Sequence, residues 1–279
     1  MPTAPLTPVL VRMLQGRVGS TATMRLLATS PEVAFERTYP FEHSYLSYLT
    51  LLTRQIALPR DEADATVNLV YHESTQVGPL PFEASIFDPQ ELAHRSLVAI
   101  WAEFTHCVRR NAPEARYYAE KYWGRLSPLL DAGLKPVVID LVRDPRDVVA
   151  SIRAFNARHS QRLFGRPRAR DEPEHFRQLV AGMALRLAEL NEVIAIPRLQ
   201  LRYEDLIEDL PGQAAKLNEF LGVELDAGAF ASDQALQERH RTAPSVEASV
   251  GRWQDELSAE EIAYIERRLG RRMRALGYD

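Results

Sequence analysis

The sequence predicts an α/β protein built on a P-loop-like parallel sheet that is flanked by helices and carries helical insertions. Apolar runs of strand length occur at Val9–Leu14, Pro136–Val142 and Leu199–Tyr203, and each is followed by a turn and a helical pattern. Alternating strands and helices favour parallel strands joined by right-handed crossovers. A length of 279 residues, 46% of them apolar, is sufficient for a single domain, which we expect to span 1–279.

The stretch Pro8–Ser30 predicts a strand, a turn and a helix in succession. The turn, Gln15–Ser20, contains two glycines, at which backbone can approach a ligand closely. From Thr21 the apolar residues adopt helical spacing, and Pro31 follows the end of this pattern. Free N–H groups and the helix dipole converge at such a turn, and Arg17 adds a permanent positive charge. The turn therefore predicts an anion site.

This turn differs from the loop of ordinary P-loop nucleotidases. Their motif is G-x-x-x-x-G-K-[ST], whereas the chain reads GRVGST over residues 16–21 and has no lysine before the hydroxyl pair. An ATPase or GTPase would use that lysine and a hydroxyl that binds Mg²⁺. The sequence therefore disfavours ATP or GTP hydrolysis. A tight turn with a surface arginine is the alternative interpretation.

Further elements follow from the apolar spacing. A strand is predicted at Ala115–Trp123, and a short strand or loop at Val33–Phe35. The predicted helices are Tyr45–Leu58, Leu92–Arg110, Ser127–Gly133, one from about Pro145, Phe176–Ile194, Gly212–Leu221 and Ala259–Leu276. Residues 60–90 predict an irregular connection. The arginine-rich residues 157–176 predict a solvated loop, with a lid over an anionic ligand as the alternative.

Composition excludes several classes of protein. A net charge of −4 disfavours a general nucleic-acid binder. The single cysteine, Cys107, excludes an internal disulfide and a multi-cysteine metal site. The N-terminal residues lack a signal-peptide pattern, and no window approaches about 18 consecutive apolar residues, so no membrane partner is expected. These features predict a cytoplasmic protein.

Polar residues follow three of the predicted strands. They are the turn at 15–21, Arg143 with Ser151, and the triplet Tyr203–Asp205. In an open parallel sheet, ligands bind at the carboxyl ends of the strands. An arginine and a hydroxyl directed at a second phosphate would distinguish a bisphosphorylated nucleotide from ATP.

Four motifs, in order along the full chain, resemble those of sulfotransferases that use 3′-phosphoadenosine 5′-phosphosulfate (PAPS). RVGST resembles the 5′-phosphosulfate loop, RDPRDVVAS the 3′-phosphate segment, LRYEDL the strand and turn near the adenine, and SVEASVGRW the loop that covers the nucleotide. Arginine in the first loop is similar to tyrosylprotein and carbohydrate sulfotransferases and to bacterial relatives. Phenol and steroid sulfotransferases carry lysine there, and a histidine base where this chain has Trp123.

The resemblance implies that the matching residues bind the nucleotide. Those that would hold the 5′-phosphosulfate are Arg17, Val18, Gly19, Ser20, Thr21 and Ala22. Those that would hold or cover the 3′-phosphate are Arg143, Ser151, Ser249, Gly251 and Arg252. Tyr203 would lie near the adenine.

The resemblance also implies the catalytic residues. Lys121 occupies the position of the lysine near the transferring sulfuryl group, and Arg17 is the second cationic donor. Glu36 matches the position of the glutamate base in the tyrosylprotein branch. The alternative bases are Glu42, His43 and His72. A surface lysine and a solvated carboxylate are the other interpretations of Lys121 and Glu36.

The implied reaction transfers a sulfuryl group from PAPS to a hydroxyl or amine of an acceptor and leaves adenosine 3′,5′-bisphosphate. It would proceed by in-line displacement with a general base and without a metal ion. The acceptor would be a small molecule, a carbohydrate or a peptide, bound by the variable helical segments 35–110 and 155–180. A P-loop kinase that uses ATP and a non-catalytic nucleotide-binding protein of the same fold are the alternatives.

Overall fold

The structure is a computed structural model that describes residues 4–57, 86–158, 164–165, 169–190, 195–232 and 242–278. The chain divides into two compact units. The first unit comprises Met1–Leu10 and Pro31–Val137, and the second comprises Val11–Ser30 and Val138–Asp279. His72, one of the expected alternative bases, lies outside the described residues.

Five strands form one sheet in the order β2-β3-β1-β4-β5. Their bounds are β1 Thr7–Met13, β2 Val33–Ala34, β3 Tyr117–Tyr122, β4 Val137–Val142 and β5 Arg198–Arg202. β2 is parallel to β3, with Val33 opposite Tyr117, and β4 is parallel to β5, with Val142 opposite Arg202. Parallel pairs need crossover connections, which the intervening helices supply. β1 and β4 are buried almost throughout, as their apolar sequences predict. The predicted fold class is confirmed.

The helices agree closely with the apolar spacing. They are α1 Ser20–Leu27, α2 Tyr45–Ala57, α3 Pro89–Asn111, α4 Ser127–Asp131, α5 Pro145–Arg158, α6 Glu172–Leu190, α7 Tyr203–Glu208, α8 Leu210–Leu221, α9 Ala227–Ser232, α10 Trp253–Glu256 and α11 Ala259–Ala275, with a 3₁₀ turn at Glu247–Ser249. None of the helices in the described part of the chain is long and apolar enough to cross a membrane.

Several predicted boundaries were wrong by one to four residues, including those of α6 and β5. Helix α6 begins at Glu172 rather than Phe176, because Asp171 accepts a hydrogen bond from the Glu174 N–H (2.7 Å) and acidic residues in a first turn suit the helix dipole. Tyr203 was expected to end a strand, but it begins α7. Its side chain therefore leaves from a helix N-terminus at the carboxyl end of β5.

A buried charge network connects three strands of the second unit. The Asp140 carboxylate, in β4, is 3% exposed and accepts a hydrogen bond from Arg12 Nε at 2.7 Å. Its second oxygen accepts two hydrogen bonds from Arg198, one from Nε at 3.0 Å and one from Nη2 at 2.5 Å. Buried charges are costly unless they are paired and hydrogen-bonded. The three residues therefore depend on one another in the folded state.

Asp140→Asn should lower the free energy of unfolding by about 3–5 kcal/mol, because two guanidinium groups lose their buried carboxylate. Urea denaturation measures this loss. The control is Glu32→Gln, which removes the partner of Arg116 in a partly exposed pair (2.6 Å) and should cost at most about 1 kcal/mol. Equally small losses for both variants would contradict a role of Asp140 in stability.

Candidate functional site

The turn between β1 and α1 has the backbone of an anion site. Gly19 has a φ of 88° and Arg17 a φ of 74°, so two left-handed residues bend the backbone just before the helix. Such turns direct successive N–H groups toward one side. Gly19 is the N-cap and has no side chain to accept from the first N–H groups, and the first turn of α1 contains no acidic residue. The helix N-terminus therefore favours an anionic ligand.

Aromatic rings explain why both turn positions are glycine. A Cβ atom on Gly19 would lie 2.6 Å from Cδ2 of Tyr203, and one on Gly16 would lie 2.9 Å from a ring carbon of Phe164. Real Cβ atoms do not approach other atoms so closely, so any other residue would displace these rings. Tyr203, expected near the adenine, therefore packs directly on the turn.

Helix α5 orients the Arg17 side chain. Arg17 Nε donates to Ser151 Oγ at 3.3 Å, and the guanidinium lies 5.0 Å from the centroid of the Phe155 ring. Ser151 and Phe155 are four residues apart and therefore share one face of the helix. The Phe155 ring is in turn packed against Phe164, with centroids 5.0 Å apart. A hydrogen bond and a cation–π contact together fix the direction of this guanidinium.

Arg143, at the carboxyl end of β4, connects two segments that are remote in sequence. It is 3% exposed, and its two terminal nitrogens donate to the Arg17 carbonyl at 2.9 Å and to the Ser249 carbonyl at 2.5 Å. The guanidinium lies 4.3 Å from the centroid of the Tyr203 ring. Its Nε is buried and has no hydrogen-bond partner among the residues that the structure describes. Since an unsatisfied buried donor is costly, the arrangement suits an anionic oxygen that would accept from it.

A chain of side chains connects the turn to the C-terminal motif. Ser151 Oγ lies 3.3 Å from Thr242 Oγ1, which accepts a hydrogen bond from Arg252 at 3.1 Å. The Tyr203 hydroxyl lies 2.8 Å from Ser249 Oγ. Hydroxyl groups thus bridge predicted residues of three motifs. Thr242 does not stand out in the sequence, because it lies outside all four motifs.

The second unit thus brings together predicted residues from four separate motifs. Those connected by the contacts above are Arg17, Gly19, Arg143, Ser151, Tyr203, Ser249 and Arg252. Val18, Ser20, Thr21 and Ala22 lie in the same turn or in the first turn of α1. Within the described ranges, no group of three or more His, Cys, Asp or Glu side chains could hold a metal ion.

In the first unit, Lys121 is a buried cation and not the surface lysine of the alternative interpretation. It lies in β3 and is 3% exposed. Its Nζ donates to the Pro40 carbonyl at 2.7 Å and to Glu42 Oε1 at 3.2 Å. Burial lowers the pKa of Lys121, and the Glu42 carboxylate raises it again in part. The ammonium group is therefore held by acceptors from one short segment.

The expected bases of the first unit differ in their surroundings. Glu36 is exposed, and its carboxylate accepts a hydrogen bond from the Thr38 hydroxyl at 2.8 Å. Glu42 is also mainly exposed but contacts Lys121 directly. His43 is exposed, with its ring stacked on Tyr45. The described contacts therefore connect Glu42, and not Glu36, to the buried lysine.

Glu120 holds the segment that contacts Lys121. It is 1% exposed and accepts hydrogen bonds from the Leu46 and Ser47 N–H groups, at 2.8 and 3.0 Å, and from the Ser47 hydroxyl at 2.6 Å. The carboxylate thus caps the N-terminus of α2. Burial raises the pKa of Glu120 to about 6, although these hydrogen bonds lower it. The neighbouring Lys121 carbonyl accepts from the Ser44 hydroxyl at 2.9 Å.

Comparison with known proteins identifies related sequences and folds. The model of the family described as "Sulfotransferase family" matches residues 15–227. The chain is similar to the sulfotransferase domain of the Synechococcus PCC 7002 olefin synthase, with 18% identity, a TM-score of 0.51, and coverage of 100% of this chain and 98% of that chain. It is also similar to the sulfotransferase domain from the curacin biosynthetic pathway, with 16% identity, a TM-score of 0.54, and 99% of each chain covered. At these identities the two structures support the fold alone. No curated protein sequence gives a significant match.

Glu120 should make stability depend on pH. Its pKa of about 6 in the folded state lies above the ordinary value of 4.5, so between these values the folded state keeps a proton that the unfolded chain releases. The contribution of this group to the free energy of unfolding should therefore fall by about 2 kcal/mol as the pH rises from about 4.5 to 6. Urea denaturation over this pH range measures it.

Glu120→Gln should lack this decline, so the stability difference between the variant and the wild type should change with pH. The control is Glu91→Gln, which alters an exposed carboxylate of α3 and should follow the wild-type curve. A difference between wild type and Glu120→Gln that stays constant from about pH 4.5 to 6 would show that Glu120 has no raised pKa.

Proposed function

The chain belongs to the sulfotransferase family, and we propose that it transfers a sulfuryl group from PAPS to a hydroxyl or amine of an acceptor. The observation that carries this proposal is the buried Arg143, whose Nε has no partner within the described part of the chain. An ATP-dependent kinase has no use for a second anion site of this kind. The family match likewise favours sulfuryl transfer over the kinase alternative.

The residues of the second unit suit a nucleotide with phosphates at two positions. We propose that Arg143, Ser151 and Arg252 hold the 3′-phosphate, under the segment that contains Ser249 and Gly251. The backbone N–H groups of residues 17–22 and the Arg17 guanidinium would hold the 5′-phosphosulfate. Ser151 and Phe155 orient Arg17 in advance, which lowers the entropy lost on binding. When bound, PAPS supplies an activated sulfuryl group attached to a phosphate leaving group.

We propose that Lys121 and Arg17 are the cationic groups that act in catalysis, together with a general base. Lys121 would stabilise negative charge that develops in the transition state, and its burial strengthens such an interaction. Glu36 would take the proton of the acceptor, as the resemblance implies, with Glu42, His43 and His72 as the alternative bases. The acceptor would be a small molecule, a carbohydrate or a peptide. No metal ion is required by these roles.

Adenosine 3′,5′-bisphosphate should raise the melting temperature of the protein far more than adenosine 5′-monophosphate does. Stabilisation grows as RT ln(1 + [L]/Kd), and reaches about 2.7 kcal/mol at a hundredfold excess over Kd. Thermal unfolding with each nucleotide measures the difference. Arg143→Ala and Ser151→Ala should reduce it, whereas Arg186→Ala, a change in a partly exposed arginine of α6, should leave it intact. Equal shifts with both nucleotides would contradict binding of a 3′-phosphate.

Lys121→Met, which keeps the aliphatic volume of the side chain, should lower kcat by ~10²–10³-fold and leave the affinity for adenosine 3′,5′-bisphosphate unchanged. Arg143→Ala should chiefly weaken nucleotide binding, because the charge of a phosphate does not change during the reaction. An acceptor is found first by a screen with labelled PAPS, and turnover and binding are then measured separately. Normal turnover of Lys121→Met would exclude this lysine from catalysis.

Glu36→Gln and Glu42→Gln form a matched pair for the assignment of the base. We expect Glu36→Gln to lose turnover together with the acidic limb of the pH–rate profile. A loss confined to Glu42→Gln would assign the base to the carboxylate that contacts Lys121.

A further inference from the structure

Asp147 binds a segment that contains residues expected at the nucleotide. It lies in the first turn of α5 and is 1% exposed. Oδ2 accepts a hydrogen bond from the Gly251 N–H at 2.7 Å, and Oδ1 accepts one from the Trp253 N–H at 3.1 Å. One buried carboxylate thus binds two backbone donors of a segment about a hundred residues away. We refer to residues 249–253 as the covering segment.

The covering segment contains three of the residues expected at the 3′-phosphate. The Ser249 carbonyl accepts from Arg143, and the Arg252 guanidinium donates to Thr242. These two contacts join side chains of the site to the segment. Asp147 differs from them because it accepts hydrogen bonds from two backbone N–H groups of the segment, one on either side of Arg252. The backbone on both sides of Arg252 is therefore held by Asp147.

Arg146, the residue before Asp147, also contacts the covering segment, at the aromatic side chain of Trp253. The Arg146 guanidinium lies 3.9 Å from the centroid of the Trp253 ring. Arg146 is itself held by Asp144 at 2.7 Å and by Glu266 of α11 at 3.1 Å. Two consecutive residues of α5 thus contact Trp253, one at its ring and one at its N–H group. Asp147 and Arg146 therefore fix the covering segment to α5.

The chemistry of the contact requires a carboxylate. Two N–H donors converge on two separate oxygens, and an amide side chain has only one oxygen that accepts. Gly251 has a φ of 75°, in the left-handed region that favours glycine, and a Cβ there would meet no described atom within 4 Å. The backbone conformation, and not close packing, therefore explains the glycine. Burial raises the pKa of Asp147, whereas the N–H groups of Gly251 and Trp253 and the charge of Arg143 lower it. These contacts thus offset part of the desolvation free energy of the buried Asp147 carboxylate.

We infer that Asp147 is a positioning residue for nucleotide binding: it fixes the covering segment so that Ser249 and Arg252 stay in place for a 3′-phosphate, a role that rests on the proposed function. An acidic residue in a first turn also stabilises its helix through the dipole. That contribution alone would not involve the N–H groups of Gly251 and Trp253. The two roles therefore predict different results when the carboxylate is replaced by an amide.

Asp147→Asn tests the inference. The variant should raise the Kd for adenosine 3′,5′-bisphosphate and the KM for PAPS by about 10- to 100-fold, and leave kcat at saturating PAPS and the KM for the acceptor unchanged. Calorimetry gives the Kd, and steady-state kinetics separates KM from kcat. Without nucleotide, hydrogen exchange of peptides that cover 247–256 should be faster than in the wild type. A role confined to the stability of α5 would lower the melting temperature without these changes.

Asp209→Asn is the matched control. Asp209 accepts a hydrogen bond from the Gly212 N–H at 3.0 Å at the start of α8, so the same chemical change breaks a comparable contact in a helix that carries none of the expected site residues. This variant should keep the wild-type Kd and the wild-type exchange over 247–256. If Asp147→Asn fails to fold, Asp147→Ser, which also lacks a second acceptor oxygen, takes its place with the same expectations.

The outcomes separate this inference from the proposed function. A wild-type protein that does not bind adenosine 3′,5′-bisphosphate would overturn both. Binding by the wild type with an unchanged Kd in Asp147→Asn would overturn the positioning role alone. Weaker binding in Asp147→Asn with unchanged exchange over 247–256 would also overturn it, because the loss would then not pass through the covering segment.

Discussion

The Arg143 guanidinium is buried at the end of β4 and therefore requires hydrogen-bond acceptors. Remote segments of the second unit supply these acceptors. Two nitrogens of the guanidinium donate to the backbone carbonyls of Arg17, 126 positions earlier in the chain, and Ser249, 106 positions later. The Tyr203 ring packs against the face of the guanidinium. A buried guanidinium without acceptors would cost several kcal/mol. The turn before α1 and the covering segment are therefore joined through one cation. Its Nε has no hydrogen-bond partner among the described residues and is a position at which an anionic ligand would accept a hydrogen bond.

The same principle recurs in the first unit on a smaller scale. Lys121 is as deeply buried as Arg143, and the Pro40 carbonyl and the Glu42 carboxylate supply its acceptors. Glu120 then holds the N-terminus of α2, which follows this segment in the chain. Each unit thus places a buried cation at a strand and surrounds it with acceptors from loops. Loops held in this way keep a definite position although they lack regular secondary structure.

Several features of the proposed nucleotide site lower the stability of the fold. The glycines of the turn admit two aromatic rings, and a left-handed Arg17 precedes the helix. A non-glycine residue in this conformation carries strain, which the surrounding contacts must offset. The buried Asp147 and the unsatisfied Nε of Arg143 add further cost. Such departures from the most stable arrangement are typical of sites that are prepared for a ligand.

The sequence by itself determined the alternation of strands and helices, the parallel sheet and the glycine-containing turn before α1, because each depends on residues that are neighbours in the chain. Arg17, Gly19 and the hydroxyl residues after them form one contiguous motif, so their proximity needed no tertiary information. Only the tertiary structure decided the partners of Arg143, the burial of Lys121 and the part played by Thr242. Asp147 illustrates the reason: its two partners lie 104 and 106 positions further along the chain, and a contact at that separation leaves no pattern in local spacing. The folded sheet and α5 bring such residues together, and the charge and burial of each group then follow from where the fold places it.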